Sequence, residues 1–157
     1  MSLSAAVASQ GVLIITAAVL FYVALADFKH CKIRNEVVLI LAGLFFTHAL
    51  LSGRWTSLHW NLGFAALLFA IMLHYYSMKL MGGGDLKLLT VAFLWVGPYC
   101  AIPFAIFLLF FVGIHTMAVK FKWVKVKVAE NLNWIPFAPS IAAALIGAFM
   151  AGCLRPI

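Results

Sequence analysis

Acidic residues are almost missing from this chain. Of 157 residues only 4 are Asp or Glu, against 11 Lys or Arg, and charged residues make up 10%. A soluble domain carries roughly 25% charged residues, so a water-bathed fold is excluded. No GxSxG elbow, HExxH helix or GxxxxGKS/T phosphate loop is present, which removes the serine-hydrolase, zinc-protease and nucleotide-phosphate readings. Cys31, Cys100 and Cys153 include no CxxC pair, so neither a disulfide framework nor a zinc site is indicated. Small apolar packing is expected of them; a Cys100–Cys153 bridge on one membrane face is the alternative. The histidines (His30, His48, His59, His74 and His115) are scattered without ligand spacing, so no metal or other cofactor is expected. His48, His74 and His115 fall in apolar runs and read as packed or interfacial groups rather than proton relays.

What is there in quantity is hydrocarbon. The chain is 66% hydrophobic, in runs approaching the roughly 20 residues a membrane helix needs. This implies an all-α, polytopic membrane protein, a single domain over residues 1–157 with membrane lipid as its surroundings. A net charge of +7 would suggest nucleic acid in a soluble protein. No polar domain exists here to present a basic face, so nucleic acid is excluded as a partner.

The apolar runs are Ser4 to Ala26, Val37 to Leu51, Leu62 to Tyr76, Leu86 to Val96, Tyr99 to Val119 and Pro136 to Leu154. Ala24-Leu25-Ala26 imitates a signal-peptidase site. Basic residues, however, follow the first run instead of preceding it, so a retained helix is expected. Polar links are expected from Phe28 to Glu36 and from Ser52 to Trp60. Leu86 to Val96 covers only about 16 Å of a core about 30 Å thick. Gly97-Pro98 then breaks the helix.

If Leu86 to Val119 crosses once, the basic residues divide almost evenly between the two sides. If it crosses twice, Lys29, Lys32, Arg34, Lys79, Lys87, Lys120, Lys122, Lys125 and Lys127 lie inside, against Arg54 and Arg155 outside. Basic residues concentrate in cytoplasmic loops, so six transmembrane helices with a short fourth are expected, both termini outside. Lys120 to Val128, alternating basic and apolar residues, suits a segment lying on headgroups. Glu36 and Glu130 are expected in solvated loops. In the last run Ala143, Gly147 and Ala151, and likewise Ala144, Ala148 and Gly152, recur every four residues, a spacing that permits close helix packing.

This topology has a chemical consequence. Asp27 and Asp85 are the only aspartates in the chain, and both fall at the cytoplasmic membrane surface. Asp85 follows Gly82-Gly83-Gly84 and also reads as the N-cap of the fourth helix. Two acids held close cannot both ionise, so one stays protonated while the other is charged. Such a pair can activate water and polarise a peptide carbonyl with no covalent intermediate. The glycines supply a backbone that a substrate can approach. Lys87, near the inner face, reads mainly as a residue snorkelling to headgroups, with a site role as the alternative. Two other classes remain: a small ion-coupled transporter with Asp27 and Asp85 as its proton or cation site, and a non-catalytic assembly subunit.

At these residues the sequence resembles the bacterial type IV prepilin peptidases, intramembrane aspartic proteases of the GxGD type. Gly82-x-Gly84-Asp85-x-Lys87-Leu88 matches that signature, and Asp27 followed by Lys32-Ile33-x-Asn35 resembles the first-aspartate motif. Ile135-Pro136-Phe137-Ala138-Pro139-Ser140-Ile141-Ala142 resembles a late Pro-Phe segment of the family. Arg34 stands where the family usually has proline, which implies a less rigid loop. The N-terminal cysteine-bearing domain of the bifunctional members is missing, so amino-methylation is not implied. In size and motif the chain looks most like the short peptidases of tight-adherence (Flp) pilus systems. The resemblance implies a bacterial inner-membrane enzyme that cleaves the leader of a prepilin or pseudopilin, itself carrying a membrane helix, at the cytoplasmic face. It also implies a site assembled between the first and fourth spans. Neither the pilin nor the oligomeric state follows from sequence.

Overall fold

The computed structural model describes residues 3–30, 33–53, 55–79, 81–121, 128–129, 132–133 and 137–153. They form α1 (Leu3–His30), α2 (Asn35–Ser52), α3 (Trp55–Ser77), α4 (Gly83–Val96), α5 (Ala101–Lys120) and α6 (Ala138–Met150). A small antiparallel pair, β1 (Val128–Ala129) and β2 (Leu132–Asn133), lies between α5 and α6. Four stretches are long and apolar enough to cross a membrane: Val7–Asp27, Asn35–Ser52, Leu58–Ser77 and Ala101–Ala118. The chain is therefore an all-helical, multi-pass membrane protein. Large apolar side chains such as Ile14, Leu39, Leu67 and Leu109 point outward from α1, α2, α3 and α5, as lipid-facing helices require.

The remaining two helices are short. α4 has 14 residues and α6 has 13, about 20 Å each at 1.5 Å per residue. Shortness was expected only of α4. Both are the interior helices: Leu88, Ala92 and Trp95 of α4 and Ala138, Ala144, Leu145 and Ala148 of α6 are buried. A helix wrapped by protein can stop inside the hydrocarbon depth, because its end groups meet protein rather than lipid.

The helices are arranged as a ring with two outriggers. α1 packs on α2 and α6, and α4 also packs on α2 and α6, whereas among the described residues the backbones of α1 and α4 do not come close. Outside this ring, α3 lies along α4 and α5 along α6. Trp95 pins α4 to α2: its indole N–H donates to the Leu41 carbonyl at 3.1 Å, and its ring meets Phe45 edge-on at 5.6 Å. On the α6 side the same ring rests against Phe149 at 5.5 Å. His48 is buried against Trp95, as expected of a packed histidine. The small-residue pattern of α6 allows close contact with α5, where a Cβ on Gly147 would lie 3.4 Å from the Phe107 ring.

Several boundaries differ from the sequence expectation. α1 continues through Asp27 to His30, so the polar link is shorter than Phe28–Glu36. Glu36 is not in a loop but in the first turn of α2, exposed and paired with Arg34 at 2.6 Å. A negative charge there favours the helix N-terminus. α3 begins at Trp55, well before Leu62. Cys100 and Cys153 form a disulfide, not merely small apolar packing, with Cα atoms 5.8 Å apart. Cys100 follows the C-terminal end of α4 and Cys153 that of α6, so the bond ties the two short helices at one end of the bundle. Most of Lys120 to Val128, together with Glu130, lies outside the described residues.

Candidate active site

At the opposite end of α4 and α6 the two aspartates come together. Asp27 is buried in the last turn of α1, and Asp85 is half-buried in the first turn of α4. The charge of Asp27 acts on Asp85. Because α1 and α4 do not pack directly, this pairing is made across the ring, with α2 and α6 bridging the gap. The expected site between the first and fourth helices is thus a four-helix construction.

α6 contributes a group that the sequence reading does not name. Its N-cap is Phe137, which has no capping side chain, and Pro139 has no N–H to offer. The amides of Ser140 and Ile141 both bond to the Phe137 carbonyl at 3.1 Å. The Ala138 amide remains, and it donates to Oδ2 of Asp27 at 3.3 Å. Asp27 therefore caps α6 from another helix, satisfying a donor that would otherwise be buried and unpaired. A helix start with no capping side chain but a proline in its first turn is the one sequence sign that an outside acceptor is needed.

Asp85, expected as the N-cap of α4, is not the cap. The N-cap is Gly82, with extended backbone at φ −72° and ψ 140°, and Asp85 sits three residues inside the helix. Gly83 and Gly84 are already helical, and none of the three has a positive φ. What they provide is closeness. A Cβ on Gly83 would lie 3.3 Å from the Tyr76 ring, and one on Gly84 would lie 3.3 Å from the Ile33 side chain. The glycines thus let the chain's own residues, Ile33 above all, lie against α4 beside Asp85.

Lys87 does not simply reach for headgroups. Its Nζ donates to Oδ1 of Asn35, the first residue of α2, at 2.9 Å. Arg34 is the N-cap of α2 with φ −75°, within the range a proline ring would impose. The backbone at this position therefore has the shape a proline would impose. His74, near the end of α3, is exposed, and His115, in α5, is half-buried. Among the described residues no three His, Cys, Asp or Glu side chains gather as a metal site would require.

A multi-pass helical membrane protein with two interacting carboxyl groups at one end of its inner ring is the class that fold and site define. The chain belongs to the type IV leader peptidase family, whose model matches residues 14–119. That stretch is about two thirds of the chain and contains both aspartates and the glycine segment. No curated protein and no solved structure matches it. Membership makes the chain a membrane peptidase with a leader-peptidase role. α6, with its Ala138 amide, lies beyond the matched residues.

Proposed function

We propose that this chain is an aspartic-type endopeptidase in which Asp27 and Asp85 are the catalytic pair. The observation that carries the reading is that Asp27, in the last turn of α1, is near enough to Asp85, in the first turn of α4, for its charge to act there. The substrate is the leader of a prepilin or pseudopilin whose own membrane helix lies beside the bundle, and the pilus system is of the tight-adherence type.

The chemistry needs one proton shared by two acids. The ionised carboxylate takes a proton from water as the water oxygen attacks the scissile carbonyl carbon. The protonated carboxyl gives its proton to the carbonyl oxygen, forming a tetrahedral diol. When the C–N bond breaks, the leaving nitrogen takes the proton first removed from water. A diol hydroxyl returns its proton to the partner acid, restoring the starting state. No cofactor takes part. Gly83 and Gly84 let Tyr76 and Ile33 close around the helix start that carries Asp85, Gly82 at the N-cap leaves backbone for a substrate to approach, and Lys87 belongs to the same corner.

The site faces the cytoplasm across a bacterial inner membrane, with α1, α2, α3 and α5 crossing it, the short α4 and α6 sheltered among them, and both termini outside. Nine basic residues accompany the aspartate end under this orientation, as the positive-inside rule requires. The Cys100–Cys153 bond then lies on the outer face, where disulfides persist. The test is cleavage of candidate prepilins in membranes by wild type, Asp27→Asn and Asp85→Asn. Both variants are expected to accumulate normally and to lose processing. Normal processing by either would overturn the aspartic mechanism.

A further inference from the structure

Two acids carried on helices that do not pack need something else to hold their spacing. Three elements meet at the aspartate end beside them: the Ile33–Arg34 link after α1, the first residue of α2, and the first turns of α4. Two contacts join these pieces, and they bracket Asp85 in sequence. On one side Ile33 lies against Gly84, where even a Cβ would approach to 3.3 Å. On the other, Lys87 Nζ donates to Asn35 Oδ1 at 2.9 Å.

The second contact is not the ordinary behaviour of a surface lysine. Asn35 follows the N-cap Arg34, so its side chain is not in the capping position and is free to reach outside its own helix. Here α2 has no side-chain cap, and the Asn35 oxygen points across to α4 instead. A lysine at a membrane surface usually extends into headgroups and solvent, yet the Lys87 ammonium is directed at a neutral amide. No ion pair joins Lys87 to Asp27 or Asp85 among the described residues. Its charge is therefore spent on a tie between helices rather than on neutralising the acids.

We propose that Asn35 and Lys87 are positioning residues, whose hydrogen bond anchors the start of α2, and with it the end of α1, to the helix that bears Asp85. The inference rests on the reading of Asp27 and Asp85 as the catalytic pair. Lys87 lies two residues beyond Asp85, and Asn35 lies just past the short link from the end of α1. The tie therefore acts on the separation of the two carboxyl groups. Both side chains are exposed, so the bond adds little to stability, as exposed polar pairs do. A reacting group misplaced by about 1 Å, however, costs about 100-fold in rate. Rate and stability should thus come apart.

The experiment uses the full chain in proteoliposomes and a prepilin that the wild type cleaves. Lys87→Met removes the donor and keeps the stem; Asn35→Leu removes the acceptor at similar size. Each is expected to lower kcat about 10- to 100-fold, with KM little changed and the melting temperature close to wild type. The double variant should be no slower than the slower single, because the two losses are one bond. Asn35→Asp, which keeps an acceptor for Lys87, should restore most of the rate. Wild-type kcat in either single variant would overturn the proposal, as would losses that multiply in the double variant or an Asn35→Asp enzyme as slow as Asn35→Leu. Asp27→Asn and Asp85→Asn run alongside. If they still cleave, the aspartic mechanism falls and the tie with it. If they are inactive while the Lys87 and Asn35 variants run at full speed, only the positioning role falls.

Discussion

The backbone amide of Ala138 donates to the carboxylate of Asp27 at 3.3 Å, across 111 residues of sequence. A charge-seeking donor at the start of one short interior helix is thereby matched to a buried acid at the end of another helix. The arrangement serves both partners. α6 gains a cap that its own sequence does not supply, and Asp27 gains a fixed orientation in a place where an unpaired carboxyl group would be costly.

Removing that donor without removing a side chain is possible, because proline lacks the N–H. Ala138 is the first residue of α6, a position that tolerates proline. Ala138→Pro is expected to slow leader cleavage by about 10- to 100-fold, the worth of a hydrogen bond to a charged group. Ala138→Gly, which keeps the amide, should lose far less. Cleavage rates of the two variants, with their melting curves, check this.

Gly84 and Gly83 should respond differently to a methyl group. At Gly84 the new Cβ meets Cβ and Cδ1 of Ile33 at 3.3 Å, so the link beside the acid pair must shift. At Gly83 it meets only the edge of Tyr76, an exposed ring that can swing aside. Both positions are helical, where Ala is favoured over Gly by about 1 kcal/mol. Gly83→Ala is therefore expected to hold or raise thermal stability with a small change in rate. Gly84→Ala should cost about 10-fold in rate, and Gly84→Val more, since misplacement well under 1 Å already slows a positioned reaction. Parallel cleavage and melting measurements distinguish the two sites.

Gly97 is a stability position. It ends α4 with φ 65° and ψ −178°, a conformation essentially restricted to glycine and costing others about 1–3 kcal/mol. A Cβ there would also strike the amide of Asn61, which donates to the Leu94 carbonyl at 3.2 Å and so closes the end of α4. Gly97→Ala should lower the melting temperature in detergent. Adding Asn61→Ala should recover part of the loss, because it relieves the collision but not the backbone strain.

The Cys100–Cys153 bond closes a loop of 53 residues and should contribute about 2–4 kcal/mol. Reduction of the wild type, or Cys100→Ser, should lower the melting temperature by the same amount, and reductant should add nothing further to Cys100→Ser. A wild type whose melting is indifferent to reductant would show that the bond carries no load.

Much of this was legible in the sequence. Composition alone places the chain in a bilayer, since 10% charge and 66% hydrophobic residues cannot clothe a soluble surface. Counting basic residues across the membrane put Asp27 and Asp85 at one depth, and the structure brings them into interaction. The residues after each aspartate carried the family resemblance, and the family match bears it out. Asp85 as a helix cap failed, because Gly82 and Gly83 adopt the helix entry that the sequence pattern assigned further on. The disulfide was the weaker of two readings, since cysteine spacing says nothing about which helix ends share a corner.

The sequence by itself determined the solvent and the six apolar runs that become helices, because hydropathy reports which stretches avoid water. Only the tertiary structure decided who stands beside whom. In lipid the apolar faces of α1, α2, α4 and α6 are chemically alike, so lateral order depends on shape and on a few polar contacts. Among those contacts are the indole N–H of Trp95, the backbone amide of Ala138 and the neutral amide of Asn35. Every residue but proline has an amide in its backbone, and an uncapped helix start tells that an acceptor is needed without telling which helix supplies it.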